Sequence, residues 1–243
     1  MKNVLFAFLF FASLFAEKPL TIGTTSGYAP FVSLDAAGCY EGFDIDIANL
    51  LSQKLGRTLI IKDCGNMPSL MMALKQNKVE AVIWAVSITQ ERQKTIEMIY
   101  YQGEKVSEMP FLFWKEIPSN IKSMEDLKQV CVEAGTFQEA VVKKFPDIKV
   151  KNVDKITDAL LELRYGKSNA IAVDTSLVTK FKTQCPEVQI LKLPIPSAEQ
   201  SLGNGICVSK NNTALIQQIK AAVAELIAEG KIAKLEKKWG LDS

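Results

Sequence analysis

The 243-residue chain contains no histidine. That rules out a Ser-His or Cys-His nucleophile, an HExxH zinc site and a histidine pH switch. Its five cysteines, Cys39, Cys64, Cys131, Cys185 and Cys207, form no CxxC pair, which argues against a structural zinc site. Neither charge dominates: 29 Lys and Arg stand against 27 Asp and Glu, for a net charge of +2. Such a balance carries no electrostatic footprint for nucleic acid. No apolar run reaches the ~20 residues needed to span a bilayer.

The longest apolar run, Val4 to Phe15, is 12 residues long and follows the short basic start Met1-Lys2-Asn3. It has the form of a secretory signal, expected to be cut near Ala16, before Glu17-Lys18. Leu14, at the −3 position, is larger than usual for that place. The competing reading of the run is a buried N-terminal strand or helix, but it has no polar face. No cysteine follows it, so a lipid-anchored start is disfavoured. The mature chain is expected to be exported to the periplasm and soluble. An odd number of cysteines in an exported chain leaves at least one unpaired. Cys39 and Cys64 lie in the same half and are candidates to pair. Cys131 and Cys207 read as small buried apolar residues in strands.

Beyond the signal, strand and helix patterns alternate. Residues 20–24 read as a strand, and Gly38 and Gly42 mark a turn. Asp44 is expected to cap a helix with Ile47, Ala48, Leu51 and Leu55 on one face, closed by Gly56. A strand at 58–62, a helix near 68–76 and a strand at 79–83 complete a βαβαβ series, which predicts a parallel sheet flanked by helices. The pattern restarts with strands at 109–114, 129–133, 148–151 and 170–173. Between them fall a capping-box start at Ser123–Asp126, a helix at 137–145, and a helix capped by Asp154 with Ile156, Ala159, Leu160 and Leu163 inward. A strand at 206–209 and helices at 214–228 and 231–239 end the chain. Two α/β series imply two lobes, with crossings near 103–105 and 193–197. The expected division is 17–104 with 196–243, and 105–195. Ligands of such sheets bind beyond the carboxyl ends of the strands, here in the cleft between the lobes.

The residues at those strand ends carry the chemistry. The first strand runs into Gly27-Tyr28-Ala29-Pro30-Phe31, the third into Trp84-Ala85-Val86-Ser87-Ile88-Thr89 and on to Arg92. Gly135-Thr136-Phe137-Gln138 joins a strand to a helix, and Asp174 ends the strand at 170–173. Five segments, GYAPF, EGFDIDIA, SITxxR, GTxQE and EGKIAKLEKKWG, stand in the same order as in the periplasmic polar-amino-acid-binding proteins of ABC importers. Essentially the whole mature chain resembles that family. The resemblance implies a two-lobed, venus-flytrap α/β fold, each lobe a mainly parallel sheet flanked by helices. It also implies a monomer with no cofactor, which closes on a free L-amino acid and docks on an inner-membrane ABC permease.

The residues fit that implication on their own chemistry. A free amino acid presents a carboxylate and an ammonium a few ångströms apart. Arg92 offers a planar fork suited to a bidentate carboxylate contact. Main-chain N–H groups of Ser87 and Phe137 are candidates for the same oxygens, and Asp174 for the ammonium. One ligand then bridges the lobes and drives closure. The blander readings are a solvated helix arginine for Arg92, a helix cap for Asp174, N-caps for Ser87 and Thr89, and ordinary core for Tyr28.

By position in the family, the pocket walls fall on Tyr28, Met67, Trp84, Ala85 and Glu133, with Thr136 and Gln138 beside them. Many relatives have small hydroxyl residues where this chain has Trp84 and Ala85, which implies a narrower, more apolar pocket. Thr25 stands where relatives that bind cationic side chains often carry an acid, which counts against arginine or lysine. Glu133 points the other way. It faces opposite to Val130 and Val132, and in a cleft it calls for a cationic or amide donor from the ligand. The alternative for Glu133 is a partner lysine or solvent. A rival function is a small-molecule enzyme of dehydratase or lytic type on the same fold, with Glu133 as general acid.

Overall fold

The computed structural model describes residues 18–242; the expected signal lies outside the described residues. The chain runs β1 (Leu20–Thr24), β2 (Ser33–Leu34), β3 (Tyr40–Glu41), α1 (Phe43–Leu55), β4 (Leu59–Asp63), α2 (Met67–Lys75), β5 (Ala81–Val82), α3 (Gln90–Thr95) and β6 (Ile96–Gln102). It continues with β7 (Glu108–Trp114), β8 (Gln129–Glu133), α4 (Phe137–Val142), β9 (Lys149–Val153), α5 (Ala159–Arg164), β10 (Ala170–Ala172), α6 (Val178–Gln184) and β11 (Val188–Pro194). The last elements are β12 (Asn204–Ser209), α7 (Thr213–Ala228) and α8 (Lys231–Trp239).

Two five-stranded sheets result, ordered β4-β1-β5-β12-β6 and β11-β7-β10-β8-β9. In the first, β4, β1 and β5 pair in parallel, and β12 runs antiparallel to both β5 and β6. In the second, β9, β8 and β10 are parallel, and β7 is antiparallel to both β10 and β11. In each sheet, then, every strand but one runs the same way. The reversed strand is the first that the chain lays down after crossing over. The crossings are 103–107, between β6 and β7, and 195–203, between β11 and β12. They are tied side by side by Val106 N–H to Ser201 O at 2.9 Å and by Asn204 Nδ2 to Gln102 Oε1 at 2.7 Å.

Alternation along the strands builds the cores. In the second sheet Phe111, Phe113, Val130, Val132, Ala170 and Ala172 face one buried cluster, while Leu112, Cys131 and Ile171 face another under α5 and α6. The first sheet buries Leu20, Ile22, Val82, Ile206 and Val208 against Leu51, Leu70 and Ile219. Cys131 and Cys207 are fully buried in strands, as expected. All five cysteines are free, so Cys39 and Cys64 do not pair.

Several local expectations are corrected. Gly42, not Asp44, is the N-cap of α1, and Asp44 is buried in the first turn. Asp154 caps nothing; a 3-10 turn at Ile156–Asp158 leads into a short α5, where Leu160 is only half-buried. The helix expected over 137–145 stops at Val142. Strands β6 and β11 fall where no strand is expected, and the helix weighed for the segment after Asp174 starts as a 3-10 turn at Thr175–Leu177 before α6.

Candidate functional site

The carboxyl ends of β1, β5, β8 and β10 meet at a cavity between the sheets. About 440 Å³ there is unfilled by atoms, its open mouth included. Tyr28, Met67, Trp84, Ala85, Ser87 and Arg92 line it from the side of the first sheet. Glu133, Thr136, Phe137, Gln138 and Asp174 line it from the side of the second. The residues singled out in the sequence thus come together. Ile156, Ala172, Val173 and Leu177 also line it and were missed. Ala172 and Val173 were recoverable from the strand-end rule, whereas Ile156 and Leu177 sit in 3-10 turns that leave no periodic signal.

Local structure explains each placement. Thr89 caps α3, its Oγ1 accepting the Arg92 N–H at 3.2 Å, which sets Arg92 in the first turn. The guanidinium then reaches across the cleft: Nη1 donates to Ser87 O at 2.8 Å and Nη2 to Gly135 O at 2.9 Å. Burial pulls its pKa below the ordinary value, but a guanidinium stays charged. Gly135 has φ +75, and a Cβ there would lie 3.1 Å from Met67 Cγ and Pro68 Cδ. Glycine suits this left-handed backbone and leaves room for the close approach of Met67 and Pro68. Thr136 caps α4 by accepting the Glu139 N–H at 3.3 Å, and Gly135 N–H donates to Glu139 Oε2 at 2.6 Å.

Asp174 caps the 3-10 turn at Thr175–Leu177, as its blander reading held. Its Oδ1 accepts from Ser176 N–H at 2.9 Å and from Ser176 Oγ at 2.7 Å. The residue nevertheless lines the cavity, so capping and facing the cleft coexist. Glu133 is 7% exposed and shares the strand face of Cys131, opposite Val130 and Val132. Its Oε2 accepts the Ile156 N–H at 3.2 Å. Burial pushes its pKa up to about 7, while the Ile156 hydrogen bond and the charge of Lys155 act in the other direction.

The aromatic wall is Tyr28 against Trp84, with ring centroids 5.2 Å apart, and Tyr28 stacks on Phe31 at 5.5 Å. The Tyr28 hydroxyl is held well above its ordinary pKa by burial, then by the charges of Asp174 and Glu133. A second cavity of about 280 Å³, mouth included, adjoins the first and shares Tyr28, Trp84, Glu133 and Ile156 with it. Thr25 lines this second space. Thr25 Oγ1 and Trp84 Nε1 are buried without a hydrogen-bond partner among the described residues. Beneath the wall, Asp44 accepts from Ala85 N–H at 2.8 Å and from Tyr101 Oη at 2.6 Å. Burial raises its pKa to about 7, the two hydrogen bonds acting against that rise. No group of three or more Cys, Asp or Glu among the described residues is placed to hold a metal ion.

Fixed cation and acids on opposite sides of one crevice are an arrangement for holding a zwitterion. Known proteins share the framework. The profile of the bacterial extracellular solute-binding proteins, family 3, matches residues 20–242. The probable ABC transporter arginine-binding protein ArtJ of Chlamydia trachomatis is 34% identical over 227 residues, 93% of this chain and 88% of that protein. An ancestral arginine-binding protein bound to arginine matches with a TM-score of 0.80 and 30% identity, over 92% of this chain and 99% of that one. An ancestral arginine-binding protein bound to glutamine gives 0.78 and 31%, over 91% and 97%. With a two-sheet fold, a strand-end crevice and a profile match from the first strand to the last helix, the chain belongs to the bacterial extracellular solute-binding proteins of family 3.

Proposed function

We propose that this protein captures a free L-α-amino acid with a cationic side chain, arginine foremost, between two closing lobes and delivers it to an ABC permease. The lobes are residues 17–104 with 196–243, and 105–195. The observation that carries this reading is that Arg92, Asp174 and Glu133 line one cavity. Arg92 takes the ligand carboxylate, together with main-chain N–H groups near Ser87 and Phe137. Asp174 takes the ammonium. Glu133, buried and holding a single main-chain hydrogen bond, takes the side-chain cation and is ionised by it.

Glutamine is the second reading, favoured by one feature. Trp84 Nε1 is a donor only and has no hydrogen-bond partner among the described residues. A guanidinium cannot satisfy it, whereas an amide offers a carbonyl to Trp84 and an N–H to Glu133.

Binding rather than turnover follows from the chemistry. Clamps on both the carboxylate and the ammonium retain an amino acid, and no histidine base is present. The dehydratase alternative places Glu133 as general acid and requires consumption of a prephenate-like acid. The working protein in this proposal is a periplasmic monomer, freed from its signal near Ala16, with no nucleic-acid partner.

Thermal-shift screening against the twenty amino acids tests the reading, because a ligand raises the melting point as RT ln(1 + [L]/Kd). Arginine is expected to give the largest shift. A dominant shift by glutamine selects the second reading, and silence for all twenty removes both.

A further inference from the structure

Asp44 takes no part in the ligand contacts proposed above, yet it is 1% exposed and both of its carboxylate oxygens are engaged. Two of its bonds, and one made by its neighbour Phe43, converge on the site. Its main-chain N–H donates to Phe31 O at 3.0 Å, and its neighbour Phe43 N–H donates to Pro30 O at 3.0 Å. These fix the loop after β1, which carries Tyr28. Its Oδ2 accepts the Ala85 N–H at 2.8 Å, fixing the loop after β5, which carries Trp84 and Ser87. The same residue therefore spans the two loops whose rings stand 5.2 Å apart on the cavity wall.

Ala85 itself requires such a hold. Its φ is +42, the left-handed region that disfavours an L side chain. A hydrogen bond from its N–H to the buried Asp44 carboxyl opposes relaxation of that backbone. Tyr101 aims the carboxylate: its hydroxyl donates to Oδ1 at 2.6 Å, and its ring stacks on Phe43 at 6.0 Å with an interplanar angle of 19°.

We infer that Asp44, oriented by Tyr101, is a positioning residue that holds Ala85 in its left-handed conformation and sets the spacing of the Tyr28 and Trp84 walls for the bound amino acid. The inference rests on the reading of this cavity as the amino-acid site.

The test compares Asp44→Asn, Asp44→Ala and Tyr101→Phe, and repeats Asp44→Ala in an Ala85→Gly background. Arginine and glutamine affinities are measured by calorimetry, and exchange of the Ala85 amide by NMR in the ligand-free protein. Asparagine keeps an acceptor for Ala85 and a donor for Tyr101, so D44N is expected to stay within about threefold of the parent affinity. D44A is expected to lose at least tenfold and to speed Ala85 exchange well beyond that of neighbouring core amides. Its effect on affinity should shrink in the Ala85→Gly background, where the left-handed backbone is no longer disfavoured. Should D44A fail to fold, Y101F carries the test, with an expected loss of three- to tenfold and faster Ala85 exchange. Parent affinity with unaccelerated Ala85 exchange in D44A, or in Y101F where D44A does not fold, overturns the inference. So does an equal D44A loss in both backgrounds. If the parent protein binds neither amino acid, the functional reading fails, while the Ala85 exchange data still decide whether Asp44 holds that backbone.

Discussion

Arg92 Nη2 donates to the main-chain oxygen of Gly135 at 2.9 Å, joining the two halves of the molecule across the crevice. The same guanidinium holds Ser87 O from its own side at 2.8 Å. Its plane is thus set by two carbonyls on opposite walls. That pre-organisation lowers the ordering cost of gripping a carboxylate. In the proposed function, the side chain that links the two walls is also the one that meets the ligand carboxylate.

Replacing Arg92 by alanine is expected to cost about 2–5 kcal/mol of amino-acid binding, the range for removing one partner of a buried charge pair. Isothermal titration with arginine measures it. Affinity equal to the parent protein's would rule out Arg92 as the carboxylate site.

Glu133 predicts a proton count. A cation placed beside a carboxyl whose pKa burial has pushed up to about 7 lowers that pKa, so arginine binding releases up to about half a proton at pH 7 and strengthens as pH rises from 6 to 8. Titration in buffers of different ionisation enthalpy reads the release directly. Glu133→Gln should abolish it and weaken arginine more than glutamine. A parent protein that binds arginine with no proton exchange at pH 7 would show that Glu133 does not meet the ligand cation.

Stability without ligand should fall as pH rises towards neutrality. Burial holds Asp44 and Glu133 at about 7, above their unfolded values near 4. Between about pH 4.5 and 7 the native state therefore binds more protons than the unfolded chain, and stability is lost as pH rises through that window. From pH 5.5 to 7 this amounts to about 2 kcal/mol per group, each kcal/mol being worth about 2–4 °C in Tm. Thermal melts at pH 5.5 and 7.5 should show the higher Tm at the lower pH. The doubly substituted Asp44→Asn, Glu133→Gln protein should lose most of that difference.

Gly42→Ala is expected to destabilise the protein by about 2 kcal/mol or more. Its φ is +130, and a Cβ would sit 2.1 Å from Phe31 O. Main chain, not a yielding side chain, meets the new atom. The α1 clamp on the Tyr28 loop should loosen with it, so urea unfolding midpoint and amino-acid affinity should fall together. A variant as stable as the parent would show that the loop can move aside.

Composition, strand-end position and the order of short segments were enough to point to Arg92, Glu133 and Asp174 and to the main α/β series, because periodicity and main-chain turns are local properties written in neighbouring residues. Missing histidine closed off whole classes of chemistry without any coordinates. Non-local pairing decided the rest. β6, whose buried and exposed positions do not alternate, and β11, ending in Pro194, become strands because β12 and β7 offer them edges. Asp44 looked like a helix cap by its spacing. Only the arrival of Tyr101 and Ala85 from elsewhere in the chain makes it a buried strut. Whether Glu133 met solvent, a lysine or the crevice likewise turned on where Ile156 and Trp84 were brought. Burial and hydrogen-bond partners belong to the packed molecule, and a linear order of residues does not contain them.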